Sequence, residues 1–328
     1  MSLIPKHELR KIKQRVSKLR KQGHEIFTDE EVEKDGWVLD HPPPSLPGLF
    51  VSKEKQRESW DCGLACAQMV LGVLGDTNPS ARVLAQRVGG SSVWSIDLAY
   101  VLREYGVELQ YCTTALTVDE SEYSTSAFYA PSLATDAQRV NRLLRAAAAE
   151  NVDVVERTLS AADLWNLMSE EETLVIALVD AHILHKPVCK AIGGARQPSV
   201  ETTSASKRSP RHANGGKRTV QGAAEEEEAF AGHYVLLLGL DDARGGYVIN
   251  DPARDDERTF VHADALEAAR HAKGTDEDLL LIPAYQEPPA PPRPGSTPKI
   301  TAVLERADKG EVKEAGERAA AHASSSVE

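Results

Sequence analysis

The chain has 328 residues, with 38 Lys and Arg against 50 Asp and Glu, a formal net charge of −12. A hydrophobic fraction of 41% and a charged fraction of 27% are those of a globular protein, and the acidic balance argues against a general nucleic-acid binder, which draws on Lys and Arg patches. No apolar run is long enough to span a membrane, no apolar core follows the basic N-terminus as in a secretory signal, and four cysteines do not resemble a secreted disulfide framework. These features lead us to expect a reducing compartment, cytoplasm or nucleus.

Residues 1–36 form an arm. Leu9, Ile12, Val16 and Leu19 recur at helical spacing among eight basic residues between Lys6 and Lys21, which predicts a basic amphipathic helix. It is read as a solvated or loosely docked helix, or as one that meets an acidic partner or a membrane surface. His41-Pro-Pro-Pro-Ser-Leu-Pro-Gly48 is extended. The folded domain is expected over residues 37–286.

Cys62–Leu74 is apolar nearly all round, so it reads as a buried helix, with Asp61 or Ser59 as its cap. A second helix follows Asn78-Pro79-Ser80. A third covers Ile96–Tyr105, with Ser95 as cap and Gly106 as the stop. Val107–Cys112 alternates as a strand does, Asp136–Glu150 is helical, and Ser160 opens a short helix through Met168. Thr173–Val179 is β-branched and apolar, an interior strand. His233–Leu240 and Gly246–Asn250 make a hairpin. A strand at Arg258–Val261, a helix at His262–Lys273 and a strand at Asp278–Ile282 complete the series. Helices first and an antiparallel sheet afterwards give the α+β class. Residues 192–230, rich in Gly, Ser, Thr and Arg with a Glu225–Glu228 run, read as a disordered insertion. Residues 287–328 read as a disordered tail, with transient helix between Lys299 and Ala323.

One constellation carries chemistry. A thiol nucleophile gains from the partial positive charge of a helix N-terminus, and Cys62 stands where the buried helix begins. Gly63 would leave room for a substrate carbonyl. Gln56, six residues upstream, could aim its amide NH2 at an oxyanion beside the Cys62 N–H. The base must come from elsewhere: His233 opens a strongly apolar strand, and Asp251, ending the hairpin, can orient it. Cys66, one turn past Cys62, reads as packing in preference to a resolving thiol. His182, His185 and Cys189 have zinc-like spacing without an evident fourth ligand, so no metal site is assigned. Gly245-Gly246 is a hairpin turn.

Gln56-Arg-Glu-Ser-Trp-Asp-Cys-Gly-Leu-Ala65 resembles the nucleophile region of C39-type, bacteriocin-processing cysteine peptidases, and Gly232–Gly239 with Asn250-Asp-Pro252 resembles their His/Asp half. Trp60–Cys66, Ser92-Val-Trp-Ser-Ile-Asp-Leu-Ala-Tyr100 and His233–Pro252 are similar to the guanylyl cyclase domain-containing proteins of plants, algae and animals. The first resemblance implies a papain-like fold and a cysteine hydrolase that cleaves a peptide or isopeptide bond in a peptide or protein substrate, without a cofactor. The second implies a guanylyl cyclase forming cyclic GMP from GTP with Mg2+ or Mn2+, its motif lying around Ser92–Arg103. In that segment Trp94, Ile96, Leu98 and Tyr100 read as packing, and Asp97 and Arg103 as surface or supporting polar groups. A catalytically silent adaptor is the third expectation. The sequence leaves the oligomeric state open.

Overall fold

An apolar strand without alternation must bury both of its faces, and every residue of the strand at Thr173–Asp180 is buried. In the computed structural model, which describes residues 51–309 apart from 76–77, 125, 171, 187–228, 257 and 289, this strand is β3 at the centre of a seven-stranded sheet. The other strands are β1 (Gln110–Thr113), β2 (Asp153–Glu156), β4 (Gly232–Asp241), β5 (Gly246–Asn250), β6 (Thr259–His262) and β7 (Leu279–Pro283). Their order is β2-β1-β7-β3-β4-β5-β6. The antiparallel sheet expected from sequence needs one correction: β1 and β2 run parallel. β2 is too short and too exposed to show an alternating pattern.

Helices cover both faces. On one lie α1 (Cys62–Leu74), α2 (Ala81–Val88), α3 (Ser95–Glu104) and α5 (Leu133–Ala146), whose apolar side chains meet Leu174, Ile176, Tyr234, Leu236 and Leu280. α4 (Glu120–Tyr123) is a single turn between α3 and α5. On the other face α6 (Ala161–Glu170), the one-turn α7 (Ala181–Leu184) and α8 (Ala263–Arg270) pack on Val175, Ala177, Val235, Leu237 and Leu281. Each central strand thus divides its side chains between two cores, as period-two alternation requires. The class is α+β.

The end of the domain lies further along the chain than expected. α9 (Lys299–Asp308) buries Ile300 and Val303 against the α1-side core and packs on α2, α3 and α5. Its approach is tied down by the Ala290 N–H donating to the Tyr105 carbonyl at 2.9 Å and by Arg87 Nη1 donating to the Ser296 carbonyl at 2.9 Å. The tail expected at residues 287–328 is therefore part of the fold through Asp308. Phe230, taken as the last residue of the insertion, stacks on Tyr129. The basic arm, the rest of the insertion and the chain past residue 309 lie outside the described residues.

α3 departs from expectation in its first turn. Ser95 is its first residue, and the cap position belongs to Trp94, whose N–H donates to the Asp97 carboxylate at 2.9 Å. The stop is as expected: Gly106 takes φ 85°, which a side chain would resist. Asp97 is no surface group. It is fully buried, paired with Arg139 of α5, which also reaches Asp136 at 3.2 Å. Burial pushes the Asp97 pKa up, and the Arg139 charge works against that rise.

Removing one partner of a buried pair strands the other charge, which costs about 3–5 kcal/mol. Arg139→Met should therefore lower unfolding stability by about 3 kcal/mol in urea titrations, and adding Asp97→Asn should recover part of it. A single variant as stable as the parent would contradict this role.

Candidate active site

The site is assembled by two neighbours in sequence on each of two elements. Cys62 and Gly63 open α1; His233 and Tyr234 lie at the start of β4. A Cβ on Gly63 would sit 2.9 Å from Leu98 Cδ1 and 2.9 Å from Tyr234 Cδ2. Gly63 is buried, and the space beside it is filled by those two side chains, so its role is helix-to-sheet packing and not the substrate access expected from sequence. One turn on, the Cys66 thiol donates to the Tyr234 carbonyl at 3.6 Å, and burial pushes its pKa well up. Cys66 is an inert packing residue.

The turn before α1 is made by Asp61. Its carboxylate accepts from the N–H groups of Arg57 (3.1 Å) and Glu58 (3.1 Å) and makes no side-chain cap on α1. The expected cap thus points backwards. The first N–H groups of α1, which have no intrahelical acceptor, carry no side-chain cap at the Cys62 end. Gln56 is held to the other half of the site, its N–H donating to the Pro252 carbonyl at 3.1 Å. Its side-chain Nε2 donates to the Glu58 carbonyl at 2.9 Å, and its Oε1 is buried without a partner. One amide proton of Gln56 is spent on that local turn and one is left.

The sheet supplies the rest. Val179 pairs with His233 and Asp180 with Gly232, fixing the start of β4 on β3. Leu236 pairs with Asn250, so Asp251 leaves β5 beside the His233 end of the hairpin. His233 Nε2 lies 2.7 Å from Asp251 Oδ1, which also accepts from the Ala253 N–H at 2.9 Å. The Cys62 thiol stands next to the same imidazole and, with Asp251, favours its protonated form. Cys62, His233 and Asp251 are all buried. Burial alone would lower the His233 pKa, but the bonds to Asp251 and Cys62 outweigh it and push the ring up to about 9. Asp251 would be raised by burial, yet His185 and His233 hold it well below the usual carboxylate range.

His185 was missed as a member of this group. Its Nε2 stands 2.9 Å from Asp251 Oδ2, at ion-pair distance though outside hydrogen-bond alignment. The sequence shows only a His near another His; the zinc-like spacing drew attention to the residue for another reason. Cys189 lies outside the described residues. Among the described residues no group of three His, Cys, Asp or Glu is placed to hold a metal ion. Lys53, also unflagged by the sequence, donates to the carbonyls of Arg254 and Asp256 and ties down the loop after Asp251.

The polar residues of Ser92–Arg103 do structural work. Asp97 caps α3 and pairs with Arg139; the Ser95 hydroxyl meets the Tyr234 hydroxyl at 2.8 Å; Arg103 donates to the carbonyls of Asn151 (2.8 Å) and Val107 (2.9 Å). Ile96, Leu98 and Tyr100 are buried, as the packing reading requires.

Comparison with known proteins places this architecture in a family. Residues 51–282 match the family described as Guanylylate cyclase. Over 254 residues the chain is 32% identical to Guanylyl cyclase 1 of Arabidopsis thaliana, covering 77% of this chain and 83% of that protein. The chain belongs to this family. Of the two activities expected from sequence, its name favours the second. Among the described residues no helix is long and apolar enough to cross a membrane.

Because the folded His233 pKa exceeds the unfolded value, its proton stabilises the fold fully below roughly pH 6.5, and that contribution is lost as pH rises through about 9. Asp251→Asn removes the main support and leaves burial to act. The His233 midpoint, read by 15N imidazole NMR, should then fall from about 9 toward or below the ordinary histidine value. A midpoint still near its original place would contradict the pairing.

Proposed function

We propose that this member of the guanylylate cyclase family carries, in a papain-like α+β domain, a thiol-centred hydrolytic site with Cys62 as nucleophile. The observation that carries the reading is a single buried imidazole bridging the Cys62 thiol and Asp251, with His233 Nε2 2.7 Å from Asp251 Oδ1. An imidazole drawn to its proton this strongly can take the proton of the Cys62 thiol and hold it as an acid.

The steps follow from the groups present. The Cys62 sulfur attacks the carbonyl carbon of a peptide or isopeptide bond, forming a C–S bond and an oxyanion. The Cys62 N–H and the remaining amide proton of Gln56 are the donors offered to that oxygen. His233 gives its proton to the leaving nitrogen, the C–N bond breaks and a thioester remains. His233, now neutral, takes a proton from water; the hydroxide oxygen adds to the thioester carbon and the C–S bond breaks, releasing the acid and restoring Cys62. Asp251 holds the imidazole in one orientation throughout. The substrate is a peptide or protein, and the setting a reducing compartment such as the cytoplasm or nucleus.

The second reading is the one the family name favours: GTP closed to cyclic GMP with release of pyrophosphate. It implies Mg2+ or Mn2+ on carboxylates. Among the described residues no three metal-binding side chains converge, and Asp97 is already committed to Arg139 and the Trp94 N–H. No step is therefore routed through a metal here.

Two assays on the full chain divide the readings. Iodoacetamide should label Cys62 ahead of the other cysteines, and His233→Ala should slow that labelling by roughly a hundredfold. Labelling of Cys66 or Cys112 at an equal rate would sink the hydrolase. If the chain with GTP and Mn2+ forms cyclic GMP, and Cys62→Ala leaves this intact, the cyclase reading takes its place. Neither result together would leave a silent scaffold.

A further inference from the structure

Asp251 has two oxygens, and the thiol site as described uses one. The other faces His185. This residue follows α7, whose start is fixed by Asp180: that carboxylate accepts from the His182 N–H at 2.8 Å, while the Ala181 N–H donates to the Ala231 carbonyl at 2.9 Å. Asp180 ends β3 and pairs with Gly232, the neighbour of His233. The same strand pair that sets His233 therefore turns the chain back and sets His185 over Asp251. His185 is about one-third exposed, whereas Asp251 is sealed from solvent.

We propose that His185 is a positioning residue, holding Asp251 Oδ2 so that one buried carboxylate is clamped between two imidazoles and presents only Oδ1 to His233. The inference rests on the thiol-site reading and adds a member to it. A buried carboxylate with one free oxygen can rotate about its Cβ–Cγ bond and swing Oδ1 out of line. The Ala253 N–H restrains Oδ1 itself, and His185 restrains the opposite end. The two imidazoles also share one negative charge. The other groups around the carboxylate are accounted for. Lys53 is bonded to the carbonyls of Arg254 and Asp256, and Cys66 to Tyr234. On α8, which packs against α7, Glu267 is paired with Arg270 and His271.

The test is a pH titration of the full chain and its His185→Gln and His185→Ala variants. The His233 midpoint, read by 15N imidazole NMR, should stay near about 9 in the parent and in His185→Gln and fall in His185→Ala, where Oδ1 loses its alignment. Cys62 alkylation by iodoacetamide at neutral pH should fall about tenfold in His185→Ala, the scale of a slightly misplaced catalytic group. His185→Gln, which keeps a neutral N–H within reach of Oδ2, should stay near the parent rate. An unchanged His233 midpoint in all three proteins, with equal alkylation rates, overturns the proposal. So does a loss in His185→Ala that tracks a lowered melting temperature and is not restored by Gln, because His185 would then be packing alone. If parent alkylation is indifferent to His233→Ala, the thiol reading fails instead, and the His233 midpoint still reports whether His185 positions Asp251.

Discussion

The first turn of α1 lies so close to β4 that no side chain fits at position 63, where Leu98 and Tyr234 already stand within 2.9 Å of where a Cβ would be. Because Cys62 precedes Gly63 and His233 precedes Tyr234, seating one pair brings the other together. The Cys66 thiol on the Tyr234 carbonyl repeats the contact a turn later and fixes the helix against sliding. The Tyr234 hydroxyl meets Ser95 of α3, and Leu98 of the same helix closes the gap from the side. The thiol and the imidazole are thus placed by packing among buried apolar groups, and not by their own modest attraction. Interiors pack too densely to tolerate much drift in such a contact.

Placing charge in that interior then becomes the second constraint. Asp251 has no exposed surface, and an isolated carboxylate there would neutralise itself by taking up a proton. It stays ionised because two imidazoles and the Ala253 N–H surround it. A contrast stands close by in the sheet. Asp278, also fully buried, faces hydroxyls of Ser95, Thr113 and Tyr111 with Asp276 nearby; burial first, then that like charge, push its pKa up to about 8. Two aspartates flanking strands of one sheet are thus driven in opposite directions, Asp278 up by burial and a like charge and Asp251 down by its imidazoles. The one driven down is the one that can hold a histidine proton.

What could be read in the sequence follows from how local each cause is. α1 was legible because apolar residues fill nearly its whole circumference, and β3 because its run is unbroken. His233 and Asp251 were legible because a hairpin is a short-range element and brings its own ends together. The misses are non-local. β2 is recognisable only through its parallel partner β1. Helix was expected from Lys299, but the docking of α9 shows only in the core that Ile300 and Val303 complete. Asp61 or Ser59 was the expected cap; Asp61 holds that position, but its carboxylate serves the turn behind it. Asp97 read as a surface or a supporting polar group, and its partner Arg139, forty-two residues away, which decides for the second, is invisible to any local pattern. His185 reaches Asp251 through a strand pairing and a one-turn helix, neither of which leaves a signature at position 185.

The same electrostatics bear on the chemistry available at this centre. A cyclase needs a group that removes the proton of a ribose hydroxyl, and such a base must be unprotonated at working pH. His233 is held protonated to about pH 9 and buried beside a thiol, so at neutral pH it is an acid. That arrangement suits protonation of a leaving amine and opposes abstraction from an alcohol. The segment similar to the family's cyclase motif gives its polar groups to a helix cap, an ion pair and backbone carbonyls. A nucleotide reaction, where the family performs one, would therefore need acids and metal ligands other than those gathered around Cys62. The two chemistries would occupy different places on one chain, and loss of the thiol would silence only one of them.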